Sequence, residues 1–531
     1  MTYAGITIGP IIDTLAMTST PGGLWFASYF FSSLMKAIIV EGQQKGLEVL
    51  TLPVGKKVEE NAPDSGIGTF HDRVYYKSAC EDGKAVETTV QGIIDRAVSL
   101  KAIELAAALN KNKALVKAYL DKYLQIHFVV VSEENVKEKG IAKTSADALD
   151  ALELAQRIFS DSGEDYLRTL IRGTALGGSN VYIKKHAFYS SASKPDPDAF
   201  KLRRQDYIRD LVSIASNGKC TSKDLEDNKA RLTGTERYFA IVQCDGDNMG
   251  RLIAGSSGEI SDQENAIKKF SEYCMTYTGK AADKISEYGG VVIYAGGDDL
   301  LFLAPIVNDK KENIWSLCRD VGKIFDNTFP TFTDKEGKTD KPSLSIGVSI
   351  NYYKFPLYEA FEDARGLLFG MAKETGKKNN IAVKLGKASG QTCGFVCPLG
   401  TKSGSSAESR DCFKGYLDLV EQFFGQEPEK KDKLIQSVLY NLEDQNFLFE
   451  LAIGDKNRMK NALGNTYDNA GQAFAAPMLE EIAKLAQLIS EGVDSKMVKG
   501  FSEEKHDGEG SGKVLALTSM LRMARFLVEE R

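Results

Sequence analysis

Aspartates and glycines at two places in the chain have the types and spacing that metal chemistry needs. An apolar run over 238–244 ends in Asp245, and residues 296–299 read Gly-Gly-Asp-Asp between short apolar runs at 291–294 and 300–303. The second pattern predicts a hairpin, because glycine readily adopts the backbone angles of a tight turn. If the strand before Asp245 neighbours this hairpin in one sheet, Asp245, Asp298 and Asp299 converge.

Three converging carboxylates predict a site for divalent metal ions. Oxygen-only ligands suit Mg²⁺ or Mn²⁺, and two such ions can activate an attacking hydroxyl and stabilise a leaving pyrophosphate. Asp298 and Asp299 are therefore predicted catalytic residues, and the glycines before them leave room for a triphosphate. The alternative interpretation is a polar hairpin in which Asp and Gly supply only turn chemistry. The upstream Asp245, in the expected order of elements, favours the metal site.

The surrounding pattern predicts an α+β fold that contains two ferredoxin-like palm domains. Residues 237–400 follow the order βαββαβ, which is typical of a palm, and residues 1–131 repeat this order. The first copy has a long connection over 53–73 without a Gly-Gly-Asp-Asp tip. We therefore expect a degenerate first palm beside an active second palm.

The remaining segments are predicted to be helical. Residues 132–236 form a helical linker and residues 401–531 a helical C-terminal domain, so the chain of 531 residues comprises several domains. The formal charge of −6 is too small an excess to make the whole molecule a nucleic-acid binder. Contact with RNA is therefore expected through a local patch or through partner proteins.

Cysteine usage and the N-terminus predict a cytoplasmic protein. The eight cysteines are scattered and contain no CxxC pair, so neither a disulfide framework nor a structural zinc site is expected. The first ten residues lack the features of a signal peptide. The most apolar stretch, 25–40, is interrupted by Lys36 and is predicted to be a buried helix, with no contact to a membrane.

These features together resemble the large polymerase/cyclase subunit of type III CRISPR effector complexes, in particular the type III-B (Cmr) branch. Residues 6–10 and 23–29 look like the first palm of that branch. The resemblance implies an RNA-activated nucleotidyltransferase that makes a signalling nucleotide from ATP. It also implies other Cmr subunits, guide RNA and target RNA as partners.

The resemblance also implies where ATP binds. In related proteins a helix after the palm supplies lysines near the nucleotide phosphates, although lysine is favoured at a solvated helix end in any case. The expected ATP contacts are Gly246, Asp247, Asn248, Gly296, Gly297, Lys373 and Lys377.

Two further segments resemble a subgroup that is associated with CorA-type membrane effectors. That subgroup lacks an HD nuclease domain and joins S-adenosylmethionine to AMP. This chain starts at the first palm, and His71-Asp72 lacks the further histidines of an HD site, so no DNA cleavage by an HD domain is expected. Asp72 and Glu153 match the two acidic positions of the subgroup and are the predicted S-adenosylmethionine contacts.

The charges agree with this assignment of the acceptor. A carboxylate about 4 Å from a phosphate charge costs about 4 kcal/mol per charge pair at an effective dielectric near 20. S-adenosylmethionine instead presents a sulfonium and an ammonium, which carboxylates attract. Without the resemblance, Asp72 and Glu153 would be ordinary surface acids. Two other functions stay open: synthesis of cyclic oligoadenylates from ATP, and a non-catalytic scaffold that binds guide RNA.

Overall fold

A computed structural model describes most of the chain and has an α+β architecture with two palm domains and helical parts, as predicted. The described residues are 1–59, 66–137, 139–154, 164–175, 210–254, 260–333, 339–374, 378–400, 411–423, 428–464, 469–493 and 512–527. The strands form a sheet of four, a sheet of six and a separate pair.

The first sheet has the strand order β2-β3-β1-β4 and is antiparallel throughout. Its strands are β1 (Thr2–Gly9), β2 (Glu48–Val49), β3 (Arg73–Ser78) and β4 (Gln125–Ser132). The helices of this first part are α1 (Ile11–Ala16), α2 (Pro21–Gln44), α3 (Gly83–Leu109) and α4 (Lys113–Tyr123). One face of the sheet packs on α2 and α3 through residues such as Ile6 and Val74. The predicted βαββαβ order is present, with α4 as an additional helix.

Short helices lead from the first sheet toward the second. They are α5 (Glu133–Val136), α6 (Ile141–Glu153), α7 (Tyr166–Ala175), α8 (Leu211–Ala215) and α9 (Ser222–Glu226). Helix α6 covers the other face of the first sheet, where Leu149 packs against Tyr3 and Tyr75. Residues 155–163 and 176–209 of the predicted helical linker lie outside the described residues.

The second sheet has the order β12-β11-β10-β5-β7-β6, and β10 and β11 are its parallel pair. Its strands are β5 (Tyr238–Asp247), β6 (Val291–Gly296), β7 (Asp299–Pro305), β10 (Ser343–Tyr352), β11 (Asn380–Gly386) and β12 (Thr392–Pro398). A small pair, β8 (Phe332–Thr333) and β9 (Thr339–Asp340), lies apart from it. The edge strand β12 pairs antiparallel with β11, and its residues 394–397 are buried.

Both faces of the second sheet are buried, which explains its continuous apolar strands. Its helices are α10 (Met249–Ala254), α11 (Ile260–Tyr288), α12 (Ile314–Thr328) and α13 (Leu357–Leu367), and α13 continues into a π-helical turn over Leu368–Ala372. Along β5, Ala240 and Val242 pack toward α11 and α12, whereas Phe239 and Ile241 share a core with α2 of the first part. The two palms are therefore joined by a common apolar core.

The C-terminal part is helical, as predicted. It contains α14 (Cys412–Phe423), α15 (Pro428–Asp444), α16 (Asn446–Ala452), α17 (Lys456–Gly464), α18 (Asn469–Gly492) and α19 (Lys513–Phe526). The helical course is interrupted at Gln445, between α15 and α16. The proposed domain limits at 131, 236 and 400 stay predictions.

One helix in the described part is long and apolar enough to cross a membrane, namely Pro21–Gln44. However, 83% of its most apolar window is buried inside the protein. The helix therefore serves as a core element of the first palm. All eight cysteines lie in described residues and carry free thiols.

A buried ion pair fixes α11 of the second palm to the first sheet. The Glu264 carboxylate accepts hydrogen bonds from the Tyr3 hydroxyl at 2.7 Å and from Lys77 Nζ at 2.9 Å, and its side chain is 10% exposed. Burial, together with Glu264, raises the pKa of the Tyr3 hydroxyl. A second acid on the same interface, Glu48, pairs with Lys268 and is 49% exposed.

We expect Glu264→Ala to destabilise the protein by about 3 kcal/mol, because it leaves a partly buried lysine and a buried hydroxyl without their acceptor. Glu48→Ala is the matched control and should cost less than about 1 kcal/mol, since exposed pairs contribute little. Thermal unfolding of both variants measures the difference. Equal melting temperatures for the two variants would contradict this role of Glu264.

Candidate active site

Asp245, Asp298 and Asp299 meet at one end of the second sheet. Each offers a carboxylate oxygen, and these oxygens all lie within 4.8 Å of one another. Asp245 lies on β5, and the other two aspartates lie at the turn between β6 and β7. The register explains the convergence, because β5 and β7 are antiparallel neighbours in which Cys244 pairs with Leu300. This is the only group of three or more metal-binding side chains within the described residues.

The burial of these carboxylates makes them a fitting site for a cation. Burial, and next the neighbouring Asp298, raise the pKa of Asp299 well above its ordinary value. Burial also raises the pKa of Asp298. Negative charges held together away from water repel each other, and a divalent cation offsets this cost. With only oxygen donors, the residues fit Mg²⁺ or Mn²⁺.

The glycines of the hairpin permit a close approach of the chain. Gly297 has φ +67°, and a Cβ there would lie 2.6 Å from the His71 ring. A Cβ on Gly296 would lie 2.9 Å from the Thr69 carbonyl oxygen. The hairpin is thus packed against the segment 66–71 of the first palm, and the Ala295 N–H donates to the Gly68 carbonyl oxygen at 2.8 Å.

Lys373 reaches the same end of the sheet from the turn after α13. Its Nζ contacts the Asp245 carboxylate and donates to the Gly246 carbonyl oxygen at 3.0 Å. A cation at this position can stabilise phosphate charge beside the triad, so the geometry agrees with the predicted contact to ATP. The other predicted lysine, Lys377, lies outside the described residues.

The residues after Asp245 differ in their placement. The Asp247 side chain is fully buried and accepts hydrogen bonds from Ser343 and Ser345 at 2.9 Å and from the Asn379 N–H at 2.9 Å. It therefore anchors β10 and the chain at 378–380 beside the site. Asn248 has φ +63° and accepts from Lys378 Nζ at 3.4 Å. The roles of Gly246, Asp247 and Asn248 in ATP binding stay predictions.

Asp72 lies in the first palm beside the metal triad. His71 Nδ1 is 2.5 Å from Asp72 Oδ1, and the two side chains are 41% and 38% exposed. Burial alone would lower the pKa of His71, but the Asp72 carboxylate raises it above its ordinary value. Asp72 also contributes to the raised pKa of Asp299. The structure therefore brings this predicted acceptor residue close to the aspartate triad.

Glu153 lies at the end of α6 and is joined to β1 and β3. Its carboxylate accepts from the Thr7 hydroxyl at 2.7 Å and from Arg73 Nη2 at 3.1 and 3.2 Å. Arg73 Nη2 also donates to Asp150 at 2.6 Å. Because Arg73 follows Asp72 directly, both predicted acidic residues belong to one charged group, which we call the acceptor cluster: Thr7, His71, Asp72, Arg73, Asp150 and Glu153.

Four members of this cluster were not predicted as site residues, namely Thr7, His71, Arg73 and Asp150. Arg73 follows Asp72 directly in the sequence, but a basic residue at a strand start has no chemical signature of its own. Asp150 precedes Glu153 by three positions on α6, so both acids lie on one helix face. This spacing was the signal in the sequence that could have indicated Asp150. The pairing of both acids with Arg73 is visible only in the structure.

A cavity of about 490 Å³ lies in the C-terminal part, and its lining contains none of these residues. It lies among β12, α15 and α19 and is lined by Cys393, Tyr440 and Arg522, among others. Arg522 pairs there with Glu443. It contains none of the triad or acceptor residues and does not compete with the hairpin as the candidate active site.

Residues 238–382 match the family profile of the second palm domain of Cas10/Cmr2 proteins. This segment holds Asp245, Asp298, Asp299 and Lys373. A further match is to the CRISPR system Cmr subunit Cmr2 of Pyrococcus furiosus, with 32% identity over 176 residues, 29% of this chain and 19% of the relative. The match therefore spans about a fifth of that relative.

Two solved structures have a similar fold over most of the chain. One is the type III-B Cmr-beta complex in the apo state, with TM-score 0.52 and 13% identity over 88% of this chain and 77% of the other. The second is the type III-B Cmr-beta complex bound to cognate target RNA, with TM-score 0.52 and 12% identity over 98% of this chain and 82% of the other. At this identity the likeness concerns the fold.

We expect Asp298→Asn with Asp299→Asn to raise the melting temperature without metal, because two buried, mutually repelling carboxylates become neutral amides. The wild type should gain about 2.7 kcal/mol at a Mn²⁺ concentration one hundred times the dissociation constant, and the double variant should gain none. Thermal unfolding with and without MnCl₂ measures both effects. Asp309→Asn, on an exposed loop, is the control and should keep the Mn²⁺ effect; a retained effect in the double variant would exclude this metal site.

Proposed function

We propose that this chain is the large subunit of a type III-B CRISPR effector complex and joins AMP from ATP to S-adenosylmethionine when target RNA is bound. The palm match and the Cmr2 relative support the assignment to such complexes. A similar fold in a Cmr-beta complex bound to cognate target RNA supports the RNA partners. Other Cmr subunits and guide RNA complete the proposed assembly.

The observation that carries the proposal is the position of Asp72 beside the aspartate triad. A nucleotidyl transfer needs a donor phosphate at the metal ligands and an acceptor hydroxyl within reach of the same phosphate. The triad lies on the second palm. The His71 ring, next to Asp72 in the first palm, lies 2.6 Å from where a Cβ on Gly297 would be, one position before Asp298. Two sites for two substrates therefore adjoin at the contact between the palms.

The proposed reaction is a displacement at the α-phosphorus of ATP. A ribose hydroxyl oxygen of S-adenosylmethionine forms a bond to this phosphorus, and the bond to the bridging oxygen of the β-phosphate breaks. The hydroxyl proton passes to solvent, and pyrophosphate leaves. A phosphodiester then joins the two adenosines, with no oxidation or reduction.

Residues of both palms have defined parts in this reaction. Asp245, Asp298 and Asp299 would hold Mg²⁺ or Mn²⁺, which supplies activation of the hydroxyl and neutralisation of phosphate charge. Lys373 brings a positive charge to Asp245 and Gly246, where it stabilises the departing phosphates. Gly296 and Gly297 allow the hairpin to pack closely on the segment 66–71 of the first palm, which brings the triad near the acceptor residues. Asp247 holds the chain around 378–380 in place.

The acceptor cluster selects the second substrate by charge. Asp72, Asp150 and Glu153 carry three negative charges, whereas Arg73 contributes one positive charge and His71, with its raised pKa, a further partial one. The excess is negative. A triphosphate about 4 Å from these carboxylates is repelled by about 4 kcal/mol per charge pair. The sulfonium and the ammonium of S-adenosylmethionine are attracted instead.

Synthesis of cyclic oligoadenylates is the second candidate. Arg73 and His71 favour it, because two cations beside the acids could accommodate the triphosphate of a second ATP. A scaffold without turnover is a third candidate, and the convergent triad argues against it, since a structural subunit does not need three aspartates whose carboxylates face one another.

Product analysis separates these functions. The assembled complex is incubated with target RNA and labelled ATP, with or without S-adenosylmethionine. We expect a conjugate only when S-adenosylmethionine is present, and we expect Asp72→Asn with Glu153→Arg to reduce it by about a hundredfold through two lost charge contacts. A product that forms equally without S-adenosylmethionine would support oligoadenylate synthesis instead.

The matched control for this charge change is Asp95→Asn with Glu87→Arg on α3, where both side chains are exposed. This variant changes the net charge equally and should keep full conjugate formation. If both double variants lost product equally, the effect would be one of overall charge, and the acceptor cluster would not select the substrate.

A further inference from the structure

Arg73 lies at the centre of the acceptor cluster and is held on several sides. Arg73 is the first residue of β3, and its backbone pairs with Thr7 of β1. Beside it, the Ile8 N–H donates to the Asp72 carbonyl oxygen at 3.0 Å. The Arg73 side chain is 22% exposed. A largely buried guanidinium on a paired strand has a defined position, as a binding group requires.

The donors of Arg73 are unevenly used by the neighbouring acids. The hydrogen bonds to Asp150 and to both oxygens of Glu153 all leave from Nη2. A guanidinium carries five N–H groups on three nitrogens in a planar fork, which matches the geometry of a carboxylate. The hydrogen bonds to Asp150 and Glu153 of α6 therefore orient the guanidinium of Arg73 through Nη2.

Charges of both signs surround this position. Asp150 and Glu153 lie on one side of the guanidinium, and the Asp72 carboxylate lies next to it in the chain. A phosphate that approached Arg73 would meet three carboxylates. An α-amino acid carries an ammonium and a carboxylate on one carbon, so each of these two groups finds a partner of opposite charge here.

We propose that Arg73 binds the α-carboxylate of a zwitterionic amino-acid group on the acceptor, while Asp150 and Glu153 bind its α-ammonium. This inference rests on the proposed function and narrows it: the acceptor is a nucleoside that carries an intact α-amino acid. Arg73 is thereby a specificity-determining residue that contacts the substrate away from the reacting phosphorus.

Decarboxylated S-adenosylmethionine tests the inference, because it lacks the carboxylate and carries one more net positive charge. If net charge alone governed binding, a cluster rich in acids would prefer this analogue. Pairing with Arg73 predicts the opposite, a kcat/KM about ten- to hundredfold lower for the analogue than for S-adenosylmethionine, as expected for loss of one charge-assisted contact. The assembled complex with target RNA and ATP is the enzyme in this assay.

Arg73→Met should remove the preference, so that the analogue reacts at least as well as S-adenosylmethionine in the same preparation. Arg73→Lys keeps a charge without the fork and should give an intermediate ratio, which supplies the test if the Met variant does not fold. Arg96→Met is the control, because Arg96 on α3 is 64% exposed, and it should keep the wild-type ratio.

The outcomes for this inference and for the proposed function differ. Equal use of both acceptors by the wild type, or an unchanged ratio in Arg73→Met, would overturn the role of Arg73 and leave conjugate synthesis intact. Absence of any product that depends on S-adenosylmethionine would overturn both.

Discussion

The convergence of three aspartates at one end of the second sheet constrains the rest of this structure. Burial raises the pKa of Asp298, and burial together with the Asp298 carboxylate raises the pKa of Asp299, so the folded chain must supply enough packing to keep them in place. The central strands of the second sheet do this, because β5 and β7 are buried on both faces and pair in a fixed register. Lys373 adds a positive charge to this end of the sheet.

The contact between the two palms decides what lies opposite the triad. Helix α2 shares its apolar core with β5 of the second sheet, and the pair of Glu264 with Lys77 fixes α11 on the first sheet. These interactions bring the segment 66–73 against the hairpin. A palm that lacks its own aspartate triad can thereby furnish a substrate site for the palm that has one.

The acceptor cluster illustrates how charge selects a substrate when both signs are present. Considered as two acids, Asp72 and Glu153 would simply attract a cation. With Arg73 bonded to Glu153 and Asp150, the same site has a spatial pattern of charge, which distinguishes ligands of similar net charge. The selectivity that we propose therefore depends on arrangement as much as on sign.

The sequence by itself determined the two palm patterns, the hairpin at 296–299 and the aspartates that converge there. These features depend on local turn chemistry and on apolar periodicity, which any reader of the chain can recognise. The division between α15 and α16 at Gln445 could not be predicted, because no glycine or proline marks the break in this stretch.

Only the tertiary structure decided the partners of individual charges. Asp247 resembles a ligand in the sequence, yet it lies buried with Ser343 and Ser345. Arg73 and Asp150 are 77 positions apart and become neighbours through the packing of α6 on the first sheet. Because electrostatic energy falls with distance in space and is independent of distance along the chain, such pairs become visible only when the chain has folded.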